Sequence, residues 1–245
     1  MIALINSIPQ KPTWFLTLSA REIKWDDMIV AMLKVKYAND KSINVDLIDL
    51  KSIDHIARNQ LLIDYPVVAA RHFNHRFKCL LEYLKTSNDN TLGGKLKDYW
   101  YRVEFQARGS PHIHMLLWIE NAPSFDTAEG IDLINNVMTC AIPEDDDELK
   151  HLVENVQIHK CTFTCLKMNH KSKNTTGCRF GFPKKSTEKT VILNEEEILK
   201  TRGRFVELKR NNNESRVNPY NPLLLTLWQA NMDIQPVGSM FGVVS

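Results

Sequence analysis

The stretch YWYRVEFQARGSPHIHMLLWI, Tyr99 to Ile119, decides how this chain folds. It divides into two runs rich in aromatic and β-branched residues, 99–107 and 112–119, which reads as two strands. Between them lies Arg108-Gly109-Ser110-Pro111, a turn composition. The pair is therefore expected to form a β-hairpin. Side chains alternate along a strand, so His112 and His114 share one face while Ile113 enters the opposite layer. Two residues of strand rise set the imidazoles about 7 Å apart along the chain. At that spacing both can lean onto one ion. Met115 to Ile119 are nearly all apolar, which predicts a central strand, a rigid element suited to holding a ligand pair.

Two histidines do not complete a metal site, and the partner strand can add to them. Opposed residue numbers in an antiparallel pair share one sum. Setting Gln106 across from His112 sets Glu104 across from His114, and the four then share a face. This register also puts Phe105 and Ile113 together on the apolar side. A slip of one residue would bring Phe105 to the histidines and remove the further ligand. A bare His-x-His is more often two ordinary half-buried histidines than a metal site. The facing Glu-x-Gln, the apolar strand behind it and the turn favour the metal.

Working outward, Thr13 to Ser19 after Pro12 reads as a first strand. Trp25, Met28, Ile29, Met32 and Leu33 recur with helical spacing. A second helix is expected after Pro66, burying Phe73, Phe77, Leu80, Leu81 and Leu84, and ending before Gly93-Gly94. Acidic, helical segments run to about Gln157. Short strands follow near 191–193 and 203–209, then a helix after Pro222. Strands and helices mix without βαβ regularity, which predicts an α+β fold with a central antiparallel sheet flanked by helices. Three regions result: a core over 10–157 containing the hairpin 99–119, a small Cys/His lobe over 158–190, and a closing part of the core over 191–245.

Bulk properties set the bounds. With 245 residues and 43% apolar content, the chain can bury a substantial core. Charged residues at 24% argue against global disorder. No apolar run approaches the roughly 18 residues that a membrane span needs, and the start lacks the features of a secretory peptide. A net charge of +2 says little about partners, but its distribution says more. Between Phe125 and Asn155 nine acidic residues face one Lys, whereas between His159 and Arg216 fourteen Lys or Arg stand against six Glu. A basic stretch after an acidic one suits either a polyanion-facing surface or an ordinary solvated face.

Three of the five cysteines fall within 161–178. Such clustering favours reduced thiols at a metal over disulfides. His159, Cys161, Cys165 and Cys178 form His-x-Cys-x3-Cys-x12-Cys, with His170 in reserve. Such donors suit a closed tetrahedral zinc site, whose metal would supply folding energy that the polar segment otherwise lacks. Scattered free thiols are the bland alternative; Cys79 and Cys140 read as core residues. Arg108, Lys160, Lys167, Lys171, Lys173, Arg179, Lys184 and Lys185, interleaved with Phe163, Phe180 and Phe182, suit a single-strand DNA groove. The competing possibility is that Phe180 and Phe182 merely pack the lobe onto the sheet.

Glu104-Phe105-Gln106-Ala107-Arg108-Gly109-Ser110-Pro111-His112-Ile113-His114 resembles the metal motif of Helitron transposases, which belong to the rolling-circle initiators and the His-hydrophobic-His endonucleases. Phe15-Leu16-Thr17 resembles the first motif of that superfamily. Cys178-Arg179-Phe180-Gly181-Phe182-Pro183 resembles a Helitron-specific signature, and Tyr65 to Arg71 and Asn218 to Pro222 also fit. The likeness runs from about residue 10 to the end, to the helicase-like N-terminal domain of the family. It implies magnesium or manganese at His112, His114 and a third ligand, Gln106 first and Glu104 second. Such an ion acts as a Lewis acid on a scissile phosphate. A tyrosine then attacks to leave a 5′-phosphotyrosine and a free 3′-hydroxyl. It further implies single-stranded DNA as partner, a fused helicase domain in the full family, and work in the nucleus. The nucleophilic tyrosine pair of the family would follow a segment like Asp233 to Gly242. None of Tyr37, Tyr65, Tyr83, Tyr99, Tyr101 and Tyr220 matches that position, and no phosphate-binding loop of the helicase type is present. The expectation is a DNA-nicking domain that is inactive by itself. The alternatives are a non-catalytic module binding single-stranded DNA and zinc, and, less favoured, a hydrolase using metal-bound water with Glu104 as base.

Overall fold

The computed structural model describes residues 11–87, 90–105, 109–162, 165–168, 175–200 and 204–238. Eight strands appear among them: β1 (Trp14–Ser19), β2 (Leu96–Phe105), β3 (Pro111–Ile119), β4 (Leu166–Met168), β5 (Thr175–Cys178), β6 (Val191–Ile192), β7 (Val206–Glu207) and β8 (Met232–Pro236). β2, β3, β1 and β8, in that order, form one antiparallel sheet, while β4–β5 and β6–β7 are separate two-stranded ribbons. The fold is α+β, and β3 is central in the sheet.

Period-2 alternation gives this sheet two unlike faces. Trp14, Leu16 and Leu18 of β1, Ile113, Met115, Leu117 and Ile119 of β3, and Met232 and Ile234 of β8 are all fully buried on one side. They join a single core with the helices. Helix α1 (Asp26–Lys36) contributes Met28, Ile29, Met32 and Leu33. α2 (His55–Asp64) starts at Asp54, whose carboxylate accepts from Ala57 N at 2.8 Å. α3 (Pro66–Thr86) has proline in its first turn and buries Phe73, Phe77, Leu80, Leu81 and Leu84. Phe77 meets Tyr101 of β2 edge-on at 4.7 Å between centroids.

The acidic segment forms α4 (Ala128–Val137) and α5 (Asp147–Val156), capped by Thr127 and Asp146. A short α6 (Glu195–Lys200) precedes β7. α7 (Pro222–Trp228) is capped by Asn221, whose amide also donates to the carbonyls of Thr91 and Val137. Trp228 packs edge-on against Trp25 and Phe73, tying α7 to α1 and α3.

The hairpin register differs from the expected one by two residues. Glu104 pairs with His112 and Arg102 with His114, so the shared sum is 216 where 218 was expected. A shift of two preserves the facing, and Glu104 stays on the histidine side. Phe105 instead lies opposite Pro111 at the open end of the hairpin and is 62% exposed, so it does not join Ile113 in the core. Gln106 and Arg108 lie outside the described residues. Cys140 is buried as expected, but Cys79 is exposed on α3, where its thiol lies 3.7 Å from His75 Nε2. β8 was not expected as a strand: it is short, ends in proline, and finds its place only by pairing with β1.

Candidate metal centres and the cleft between them

The face of the sheet turned away from the core carries His112 and His114 from β3, Phe15, Thr17 and Ser19 from β1, Arg102 and Glu104 from β2, and Asp233 and Gln235 from β8. Pairing sets Thr17 beside His114 and Ser19 beside His112. Their hydroxyls hydrogen-bond the two Nδ1 atoms, at 3.3 and 3.4 Å. The ring of Phe15 stacks on that of His114, 5.9 Å away and 10° from parallel. Holding Nδ1 in this way fixes the orientation of each ring and leaves Nε2 for a ligand, as in histidine metal sites generally. His114 Nε2 lies 3.1 Å from Glu104 Oε2, a diagonal contact across the hairpin. Two donors each about 2.1 Å from one octahedral ion would sit about 3 Å apart. Arg102 also reaches Glu104, at 3.2 Å. His112 does not close on the pair to the same extent: among the described residues, only the Cys/His group below gathers three or more donor atoms within 4.8 Å of one another. Burial lowers the pKa of His112, helped by His114 and opposed by Glu22 and Glu104. The ring is thus biased toward the neutral form that binds metal.

His159, Cys161, Cys165 and Cys178 come together as a second centre, with all four donor atoms inside 4.8 Å. His159 Nε2 is 3.2 Å from Cys178 Sγ and 3.6 Å from Cys165 Sγ. These spacings fit the edges of a tetrahedron with bonds of about 2.0–2.3 Å. The thiols already sit among donors: Thr162 N–H reaches Cys165 Sγ at 3.2 Å, and Arg216 Nη1 reaches Cys161 Sγ at 3.5 Å. Burial pushes the Cys165 thiol up. For Cys178 burial acts in the same direction, but the N–H groups of Phe182 and Phe180 together with the Cys161 and Cys165 thiols outweigh it and its pKa falls. The donor set is that of zinc, and the group could hold a metal ion. His170 lies outside the described residues.

The two centres face one cleft of about 480 Å³. The sheet supplies its floor, including both histidines of β3, Asn231 and Asp233. His159, Arg179, Phe180, Phe182 and Lys184 form one wall; Arg204, Phe205, Glu207 and Arg210 belong to the other. The cleft is basic: Arg179, Lys184, Arg204 and Arg210 line it against two carboxylates, Glu207 and Asp233. Lys184 is pushed down to about 8 by burial and by Arg204 and Arg210. Burial raises Asp233 to about 6 despite a bond from Gln235 and the charge of Lys184.

Residues 2–117 match the family model described as a Helitron helicase-like domain at the N-terminus. The matched stretch takes in β1, β2 and nearly all of β3, and with them Thr17, Glu104, His112 and His114. This stretch is similar to the Helitron helicase-like domain. This ties the chain to a Helitron transposase-related role and to DNA. No curated protein matches the chain significantly. The Cys/His centre lies beyond the part of the chain matched to the Helitron domain.

Of the basic and aromatic residues expected to meet DNA, Arg179, Phe180, Phe182 and Lys184 line the cleft. Lys160 and Lys185 are exposed and do not line it. The Lys167 side chain, Phe163, Lys171 and Lys173 lie outside the description. Phe182 is buried and stacks on His159 at 4.4 Å and 15°, whereas Phe180 is half exposed beneath the Arg179 guanidinium. Sequence reading missed Asp233, Asn231, Arg204 and Arg210. A single acidic residue in a run such as MDIQP gives no local sign that it will reach a histidine-bearing face. All six tyrosines are described, and none lines the cleft. Tyr220 is buried, with its hydroxyl donating to Ala141 O at 2.8 Å. No helix among the described residues is long and apolar enough to cross a membrane.

Proposed function

We propose that this chain is the metal-binding and strand-holding part of a Helitron-type single-strand DNA nicking and transfer domain, acting in the nucleus and, in the family's full form, beside a fused helicase. The observation that carries this is the diagonal His114–Glu104 pair, 3.1 Å apart, with His112 on the same strand face and both Nδ1 atoms held by β1 hydroxyls. Of the two candidate third ligands, Gln106 and Glu104, the described one is Glu104, and its approach to His114 Nε2 supports it in that role. Magnesium or manganese suits two imidazoles and a carboxylate, with manganese the firmer in vitro. When bound, such an ion supplies Lewis-acid polarisation of a scissile phosphate. The chain's own residues orient the ligands, draw the polyanionic strand into a basic cleft and wall it with aromatics. The hydrogen bond from the Tyr220 hydroxyl to Ala141 O supports the reading that Tyr220 is not the attacking group. Zinc at His159, Cys161, Cys165 and Cys178 would hold the wall in place.

The test is manganese binding followed by electron paramagnetic resonance or calorimetry. His112→Ala combined with His114→Ala abolishes the site if the proposal holds, and undiminished binding in a folded double variant sinks it. The looser approach of His112 favours one rival, a non-catalytic module for single-stranded DNA and zinc. That rival requires full DNA affinity with no manganese bound by the intact chain at millimolar concentration.

A further inference from the structure

The wall of the cleft contains a feature that neither metal centre uses. Phe180 is 50% exposed, and the Arg179 guanidinium lies over its ring, 4.5 Å from the centroid. Arg179 and Phe180 thus present a stacked guanidinium–aromatic pair on the lining of the cleft. The turn that presents it is held at both ends. Gly181, at φ +71°, donates to Cys178 O at 2.9 Å, and Lys184 Nζ donates to Phe180 O at 2.6 Å. Behind it, the edge of His159 meets the ring at 5.7 Å. The opposing floor is rich in acceptors. Asn231 spends its amide N–H groups on Val156 O and Gln157 Oε1, so its oxygen is the group turned to the Ser19 hydroxyl. Asp233 adds a carboxylate to the same floor.

We propose that the cleft is a nucleobase subsite: one unstacked base of the bound strand lies on the Arg179–Phe180 platform and presents its edge to Asp233 and Asn231. Stacking on aromatic and guanidinium planes accepts any base, so selectivity falls to the floor. Oxygen acceptors select an edge of N–H donors. Guanine, whose ring N–H and exocyclic amino group lie side by side, fits a carboxylate best. This inference rests on the reading of the chain as a single-strand DNA-binding domain and adds the base that it recognises.

The experiment uses the full chain with no added magnesium or manganese and no chelator. Fluorescence anisotropy compares a labelled dT8 with dT8 carrying one central dG, dA or dC. The dG oligonucleotide is expected to bind about tenfold more tightly than dT8. Phe180→Ala lowers affinity for every oligonucleotide by about tenfold, and Phe180→Trp restores it. Asp233→Asn removes the preference for dG, so that the variant binds the dG oligonucleotide and dT8 with the same affinity. Equal affinity of the wild type for all four oligonucleotides, or unchanged binding by a folded Phe180→Ala chain, overturns the subsite. Manganese binding, measured separately, reports on the nicking proposal, so a lost subsite with an intact manganese site counts against this inference alone.

Discussion

Asp233 illustrates what a position on the polar face asks of a side chain. Its carboxyl is raised to about 6, because burial penalises the anion more than Gln235 and Lys184 support it. In the unfolded chain the same group ionises near 4. Its contribution to stability is therefore fully present below about pH 4 and is lost as pH rises through about 6. Asp233→Asn removes the group that must ionise. Thermal melts are expected to show the variant more stable than the wild type at pH 8, with the difference gone at pH 4. A gain of equal size at both pH values would mean that the carboxyl is not disfavoured in the folded state. A stabilising replacement at a residue kept within a cleft fits a site held for binding.

At the scale of elements, the segment 159–184 is the least self-sufficient. β4 and β5 are three and four residues long, and their pairing is irregular. Among the described residues its ties to the rest include His159 N–H to Arg216 O and Lys184 N–H to Ser215 O, both at 2.7 Å, and Arg216 Nη1 to Cys161 Sγ at 3.5 Å. A lobe with such short strands is expected to draw folding energy from a bound metal. Cys165→Ser is expected to lower bound zinc well below one equivalent per chain. Amide exchange should then quicken over 159–184 while residues 113–119 stay protected. Full zinc occupancy in the variant, or exchange that quickens across β3 as well, would refute the assignment. The hairpin shows the complementary case. Its strands and turn were legible in composition, and the facing of His112, His114 and Glu104 survived a two-residue error in register because the side-chain period is two.

At the scale of the whole molecule, the four-stranded sheet divides a large apolar core on one face from the histidine-bearing face on the other. Ile113 lies between the two histidines and is fully buried on the core face. Ile113→Ala should cost about 2–5 kcal/mol in denaturant melts, while Phe105→Ala, at an exposed hairpin end, should change stability by less than about 0.5 kcal/mol. Reversed magnitudes would mean that the register is wrong. By itself, the sequence determined the hairpin, the first strand and the helices that bury Met28 and Phe73, which side of β3 carries the imidazoles, and which four residues within 159–178 could share a metal. These are short-range properties, set by side-chain period and spacing along the chain. Only the tertiary structure decided that Glu104 meets His114 diagonally, that Thr17, 97 positions away, holds the histidine ring, and that β8 brings Asp233 onto the same floor. Those contacts depend on how distant strands pair. The energy that selects such pairings is spread over the core and leaves no mark in any local stretch of residues.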